Sequence, residues 1–293
     1  MIRRLIAPIL DGQKWAEDLG GTLIKIYLFF LRPAALKSFL HGTWLGHALH
    51  PLLTDVPVGA FTVALFLDIL GGFGNTAAYE GAKWATVVGV VTMLGAALAG
   101  IADFTGTYGR ETRYGTLHQI FMYLSLVLYL LSLAVRFGLV AGGSQLWTAS
   151  AAIGYGLLAI GAYIGGELVF GLGYMVDRHV WDAGGAKWAA LERSEFPENE
   201  PTQAKAGNQT LLIVRQGERI YAMHDVCSHA GCNLSDGGTI VGSKRDQIQC
   251  PCHGSRFRLK NGTVARGPAT YDQPSFEVRR GERGIEVRKA KSA

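Results

Sequence analysis

The sequence predicts a multidomain protein, an all-α bundle of four transmembrane helices followed by an all-β domain. Three observations predict it: four long apolar stretches, a change to short alternating segments near residue 181, and a shift in charge. Hydrophobic residues make up 49% of the 293 and charged residues 17%. The first 180 residues carry 11 Lys+Arg and 10 Asp+Glu, and the remaining 113 carry 17 and 13. Charge is about twice as dense in the C-terminal part, as two domains in different solvents would require.

Residues 1–48 form an N-terminal segment. Its basic start, MIRRLIAPIL, runs into Asp11, Lys14, Glu17 and Asp18 with no small-residue cleavage site, unlike a signal peptide. The stretch GGTLIKIYLFFLRPAALKSFL, residues 20–40, is broken by Lys25, Arg32 and Pro33. It is too short to span, and an interfacial helix along the lipid headgroups is expected.

Residues 49–176 are the membrane domain, with spans expected near 52–71, 85–102, 117–135 and 150–170. VVGVVTMLGAALAGIA and YLSLVLYLLSLAV have no polar face, so a water-soluble bundle would have to bury them on every side. Pro51 and Pro57 lie near the start of the first span, which is expected to become helical only at Asp55. Six Lys and Arg precede that span and two (Arg110, Arg113) fall in the 103–116 loop, against Lys83 and Arg136 on the other side. The positive-inside rule places both termini in the cytoplasm of a four-span cell-membrane protein.

A linker is expected over 177–186, and the dozen or so residues from Val176 to Trp188 reach roughly 40 Å at full extension. Residues 187–293 then read as a small β sandwich or barrel. TLLIVRQGERIYAMH is a hairpin turning at Gly217, and SFEVRRGERGIEVRK another turning at Gly281 to Gly284. GAKWA occurs at 81–85 and 185–189 in unlike contexts, and no other repeat is visible. The net charge of +5 comes without a basic run interleaved with aromatics, which argues against nucleic acid as a partner.

All four cysteines fall in CSHAGC (227–232) and CPCHGS (250–255). Cys227 and His229, then Cys250 and His253, admit a zinc site of two Cys and two His, and four cysteines also admit two disulfides that leave the histidines unexplained. Chemistry favours a [2Fe–2S] centre with Cys227 and Cys250 on one iron and His229 and His253 on the other. Two neutral imidazoles in place of thiolates raise the reduction potential, and each loop supplies one ligand of each kind. Glycines 231 and 254 let the backbone turn around it.

These loops resemble those of Rieske proteins, specifically the disulfide-bearing kind of cytochrome bc and b6f complexes. The resemblance covers about 185–290, including IYAMHDVCSHAG and the SFEVR strand. It implies a Cys232–Cys252 disulfide pinning the loops together, a proline loop at RGPA (266–269), and a Ser255 hydroxyl donating to a bridging sulfide. Phe257 stands where high-potential members carry a donor tyrosine. A potential below the quinol-oxidising members and above the ferredoxins is therefore expected.

LHPLLTDVPVGAF, residues 49–61, resembles an uncharacterised family of bacterial four-helix membrane domains. The membrane face from which the β domain emerges collects His47, His50, Asp55, Asp103, Arg110, Arg113, His118 and Glu167. On one reading these are interfacial anchors. As a site, His50 and His118 are axial ligands of a haem b with His47 as substitute, or a histidine and a carboxylate (Asp55 or Glu167) bind a quinone. The expected function is single-electron transfer between a membrane donor, quinol or haem, and a redox partner protein. A membrane-held ferredoxin component of an oxygenase system, or a redox sensor built on Cys232 and Cys252, are the alternatives. No room remains after the β domain for a catalytic non-haem iron domain, so an electron carrier or oxidoreductase subunit is expected rather than a stand-alone enzyme. A structural disulfide is commoner on the oxidising side, against the cytoplasmic placement that charge gives.

Overall fold

The computed structural model describes residues 2–182, 185–282 and 284–290, in two compact units. One joins the residues up to Arg32 with Leu49–Tyr174, and the other joins Pro33–Ala48 with the residues from Met175 onward.

The first unit is helical: α1 (Ile2–Asp11), α2 (Lys14–Phe30), α4 (Leu49–Gly72), α5 (Ala78–Phe104), α6 (Arg110–Arg136) and α7 (Ser144–Gly166), which runs on into a π-helical turn at Glu167–Gly171. The helix α3 (Ala34–His41) belongs to the second unit. Four helices, α4 to α7, are long and apolar enough to cross a bilayer. Phe66, Val91, Leu98 and Val127 point outward from them, which water would penalise and lipid tails do not.

Two boundaries differ from the sequence expectation. Residues 20–40 are not one helix, because α2 ends at Phe30 and α3 starts anew at Ala34. Pro33, fixed in φ and without an N–H, cannot continue α2 and instead caps α3. α2 packs against α6, where a Cβ on Gly20 would lie 2.3 Å from the Thr116 hydroxyl. Likewise, α4 begins at Leu49 and not at Asp55. Pro51 sits in the first turn, where no backbone N–H is needed, and its carbonyl accepts from the Thr54 hydroxyl at 2.8 Å.

Around the bundle α4 packs chiefly on α5 and α6 on α7. Phe61 and Tyr129 stack in its centre with rings 3.6 Å apart. Asp68 and Arg136 form a buried ion pair, their side chains 0% and 2% exposed.

In the second unit, six strands are ordered β1-β10-β9-β4-β3-β2 and four are ordered β5-β6-β7-β8, all antiparallel. The first sheet holds β1 (Ala189–Ala190), β2 (Thr202–Ala206), β3 (Gln209–Gln216), β4 (Arg219–His224), β9 (Ser275–Gly281) and β10 (Gly284–Lys289). The second holds β5 (Thr239–Val241), β6 (Gln247–Gln249), β7 (Arg256–Arg258) and β8 (Val264–Arg266). β3 and β4 pair around Gly217, which has φ +59°. The β9–β10 hairpin forms as expected. Arg283 of its turn, residues 183–184 of the linker and 291–293 of the β domain lie outside the described residues. β3 is buried on both faces: Leu211 and Ile213 enter the core of the large sheet, while Leu212 and Val214 enter the core beneath the two cysteine loops.

Candidate metal centre

The cysteine loops connect β4 to β5 and β6 to β7, and they fold alike. The Cys227 N–H donates to the Cys232 carbonyl (2.8 Å) and the Gly231 N–H to the Cys227 carbonyl (3.0 Å). In the second loop Cys250 donates to the Ser255 carbonyl (2.8 Å) and Gly254 to the Cys250 carbonyl (3.1 Å). The glycines have φ +84° and +74°, where a Cβ would be strained. Each turn aims a cysteine and a histidine to one side.

Cys227 and Cys250 are free, buried thiols, while Cys232 and Cys252 are joined in a disulfide across the two loops. The rings of His229 and His253 are 5.0 Å apart. The hydrogen bond from Cys227 lowers the Cys250 thiol to about 7, and the same bond, then burial, pushes Cys227 well up. Burial holds the His229 and His253 imidazoles below the usual value, helped by His253 at His229 and by Lys37 at His253, which favours the neutral form that binds metal. Two thiols and two neutral imidazoles on paired loops fit a [2Fe–2S] cluster. They disfavour the two-disulfide reading, since only one disulfide forms.

The Ser255 hydroxyl is fully buried and accepts from the Ala269 N–H at 3.0 Å, which leaves its own proton free to donate. Phe257 is fully buried beside Cys227 and Cys250 and brings no donor. Ser255→Ala should therefore lower the midpoint potential and Phe257→Tyr should raise it. A hydrogen bond to charged sulfur contributes about 1–2 kcal/mol to the reduced form. Film voltammetry of the full-length protein measures both shifts, and unchanged values would show that neither side chain reaches sulfur.

Sequence reasoning missed the scaffold behind the first loop. Gln273 accepts from the Ser228 N–H (3.0 Å) and donates to the carbonyls of His224 (2.7 Å) and Val226 (2.5 Å). His179 contacts the Val226 carbonyl through Nε2 (2.7 Å) and Asp182 through Nδ1 (2.6 Å). Buried Asp225 accepts from the Ser235 N–H and hydroxyl at 2.8 and 2.7 Å. A buried Gln and Asp among strands carry no spacing signal. Their role appears only when the carbonyls they satisfy are seen.

Residues 33–48 complete the surround. The Gly267 N–H points to the Ser38 hydroxyl at 3.4 Å, and a Cβ on Gly267 would lie 2.8 Å from Thr43 and 3.6 Å from the His41 ring. Gly267 precedes Pro268 through a cis peptide in the expected proline loop. His41 is wholly buried and His229 only 3% exposed. Lys37 and Arg178 are among the charges that depress His229.

Three residues of the expected polar face are held in ion pairs within the helical unit. Arg110 bridges Asp11 and Arg113 bridges Glu17, both at 2.7 Å, and Glu167 binds Arg3 at 2.8 Å. Asp55 is exposed, and His47, in the other unit, turns Nδ1 to its neighbour's carbonyl. His50 and His118 do come together, with ring centres 6.1 Å apart.

Comparison with known proteins agrees with both units. A Rieske [2Fe-2S] domain model matches residues 187–277, and a model described as "Predicted membrane protein (DUF2231)" matches 46–178. The anthranilate 1,2-dioxygenase ferredoxin subunit of Burkholderia cepacia is 31% identical over 103 residues, 35% of this chain and 92% of that protein. A cytochrome b6-f complex iron-sulfur subunit of Synechocystis is 41% identical over 66 residues, 22% of this chain and 34% of that subunit. Among solved structures, the ferredoxin of carbazole 1,9a-dioxygenase from Nocardioides aromaticivorans IC177 is similar at 23% identity and a TM-score of 0.31, over 36% of this chain and 100% of that one. Two paired loops with two free thiols, two imidazoles and a bridging disulfide, matched in sequence along nearly the whole of a known ferredoxin, place the chain in the Rieske [2Fe–2S] family, with a predicted membrane domain fused ahead of it.

Proposed function

We propose that this protein passes single electrons between a membrane donor, a quinol or a haem, and a partner protein, with its β domain on the cytoplasmic side. Cys227, His229, Cys250 and His253 would hold the [2Fe–2S] cluster, which when bound supplies one-electron chemistry at raised potential. The observation that carries the reading is the cover over the imidazole side. Residues 33–48 meet the proline loop at Gly267 and bring His41 and Lys37 within electrostatic reach of His229, and in sequence they run directly into the first membrane helix at Leu49. The histidine side therefore faces a peptide tied to the membrane domain.

The cover is also cationic. Burial and then Arg266 depress the Lys37 ammonium, and Lys37 in turn depresses His229 and His253. A positive charge there stabilises an added electron. Lys37→Met should lower the midpoint potential by on the order of 40 mV, about 1 kcal/mol for one electron. Voltammetry that finds no shift would remove Lys37 from the electrostatics of the centre.

A second reading is favoured by the similarity to a dioxygenase ferredoxin subunit along nearly its full length. In that reading the chain is a membrane-held ferredoxin delivering electrons to an oxygenase. The two separate by donor. Full-length protein in liposomes is mixed with a short-chain quinol, or with a soluble flavin-dependent ferredoxin reductase and nicotinamide nucleotide. Appearance of the reduced-cluster EPR signal with quinol supports the membrane donor. A signal with the reductase alone supports the ferredoxin.

A further inference from the structure

In the core of the helical unit, pairs between α4 and α6 recur in one register. His50 lies beside His118, Phe61 stacks on Tyr129, and Asp68 pairs with Arg136, each 68 residues apart. The neighbouring helices repeat the register. The Phe61 ring lies where a Cβ on Gly89 would stand at 2.4 Å, and the Tyr129 ring lies 3.4 Å from that of Gly154. His50 Nδ1 meets the Ala96 carbonyl at 2.8 Å with its ring over Gly100, and His118 Nδ1 meets the Gly161 carbonyl at 2.8 Å with its ring over Gly165. Two helical hairpins, α4–α5 and α6–α7, are thus related by a pseudo-two-fold axis, with the histidines as one layer of the pair.

The chemistry of that layer is specific. A carbonyl only accepts, so Nδ1 carries the proton in both rings, and Nε2 of each neutral imidazole is left as a bare lone pair. Such a backbone contact is what orients an imidazole that binds metal. The two glycines are required by it, since a Cβ would lie 2.8 Å from His50 and 3.0 Å from His118.

No third His, Cys, Asp or Glu joins the pair among the described residues, whereas an all-protein zinc site needs three or four ligands. Two imidazoles on opposite sides of one metal ion, each bonded at about 2.0 Å, have ring centres ~6 Å apart. The observed 6.1 Å agrees. Two ligands on an octahedral ion leave four positions in a plane, the number that a porphyrin fills. A quinone site would want a carboxylate or a histidine N–H facing the ring, but Asp55 is exposed, Glu167 is held by Arg3, and both N–H groups are taken.

We propose that His50 and His118 are the two axial ligands of one haem b in the membrane bundle. The site stands on the bundle's own geometry and does not depend on the electron-transfer reading. The test uses full-length protein expressed with a haem precursor, purified in detergent and titrated with haemin. One haem per chain by pyridine haemochrome is expected, with sharp α and β bands on reduction. His50→Ala or His118→Ala should abolish those bands, and Gly165→Ala should weaken haemin binding at least tenfold by displacing a ring that is still present. Unchanged helical circular dichroism and a monodisperse elution in detergent show that the bundle of each variant is folded. Should the alanine variants aggregate, His118→Met keeps an axial ligand and should bind haem with a displaced α band. Wild type with an intact cluster signal that takes up no haemin overturns the proposal. So does haem whose spectrum is unchanged in both alanine variants, or bound quinone that they lose in place of haem.

Discussion

Cys227→Ser and His229→Ala should each abolish the rhombic EPR signal of a mixed nitrogen- and sulfur-ligated centre and reduce bound cluster iron to background. The expected loss is complete because each loop supplies only one thiol and one imidazole, and the remaining cysteines are bonded to each other. A serine hydroxyl at 227 would stay protonated at neutral pH and could not replace a thiolate. Iron analysis beside EPR separates loss of cluster from a change in its spectrum. A retained signal in either variant would refute the ligand set. His179→Ala offers the contrast: it removes a contact to the Val226 carbonyl next to Cys227 and should weaken cluster retention without abolishing assembly.

The second large effect belongs to the membrane bundle. Asp68 and Arg136 pair where neither side chain meets solvent, and Arg136 also reaches the Ser132 hydroxyl at 3.1 Å and lies over the Trp147 ring at 5.4 Å. Removing one partner strands the other charge in an apolar core, which costs about 3–5 kcal/mol. Asp68→Leu or Arg136→Met alone should therefore lower the melting temperature of the detergent-solubilised protein sharply. The double variant should recover most of the loss, because two apolar groups of similar size need no charge partner. Thermal unfolding of all four proteins measures this. Single variants within ~1 kcal/mol of wild type would show that the pair is not buried as described.

The polar groups in the helical unit read differently once their partners are seen. Taken one by one, Arg110, Arg113 and Glu167 are ionisable residues at span ends, equally suited to a site or to an interface. Paired with Asp11, Glu17 and Arg3, they fasten the N-terminal helices to the bundle. His50 and His118, which came from equivalent depths in two spans, meet each other instead.

The sequence by itself determined the two-domain plan and the four apolar helices, proposed the cluster ligands, and named the disulfide partners only through its resemblance to Rieske loops. These are carried by local pattern: runs of apolar residues, strand alternation, and Cys-x-His and Cys-x-x-His spacing, in which residues that act together are neighbours along the chain. Tertiary structure alone decided what lies over and behind the centre. Residues 33–48 part from the N-terminal helices at Pro33 and meet the proline loop at Gly267, and Gln273, Asp225 and His179 brace the first loop from 40 or more positions away for Gln273 and His179. The pseudo-two-fold of the bundle also escaped the sequence. Its register is kept by contacts, a ring against a glycine or an imidazole on a carbonyl, and across α4 and α6 the pairs Phe61–Tyr129 and Asp68–Arg136 share geometry and no identity. Packing constrains shape and charge across a gap between helices, and many residue pairs satisfy it, whereas a metal ligand set admits few.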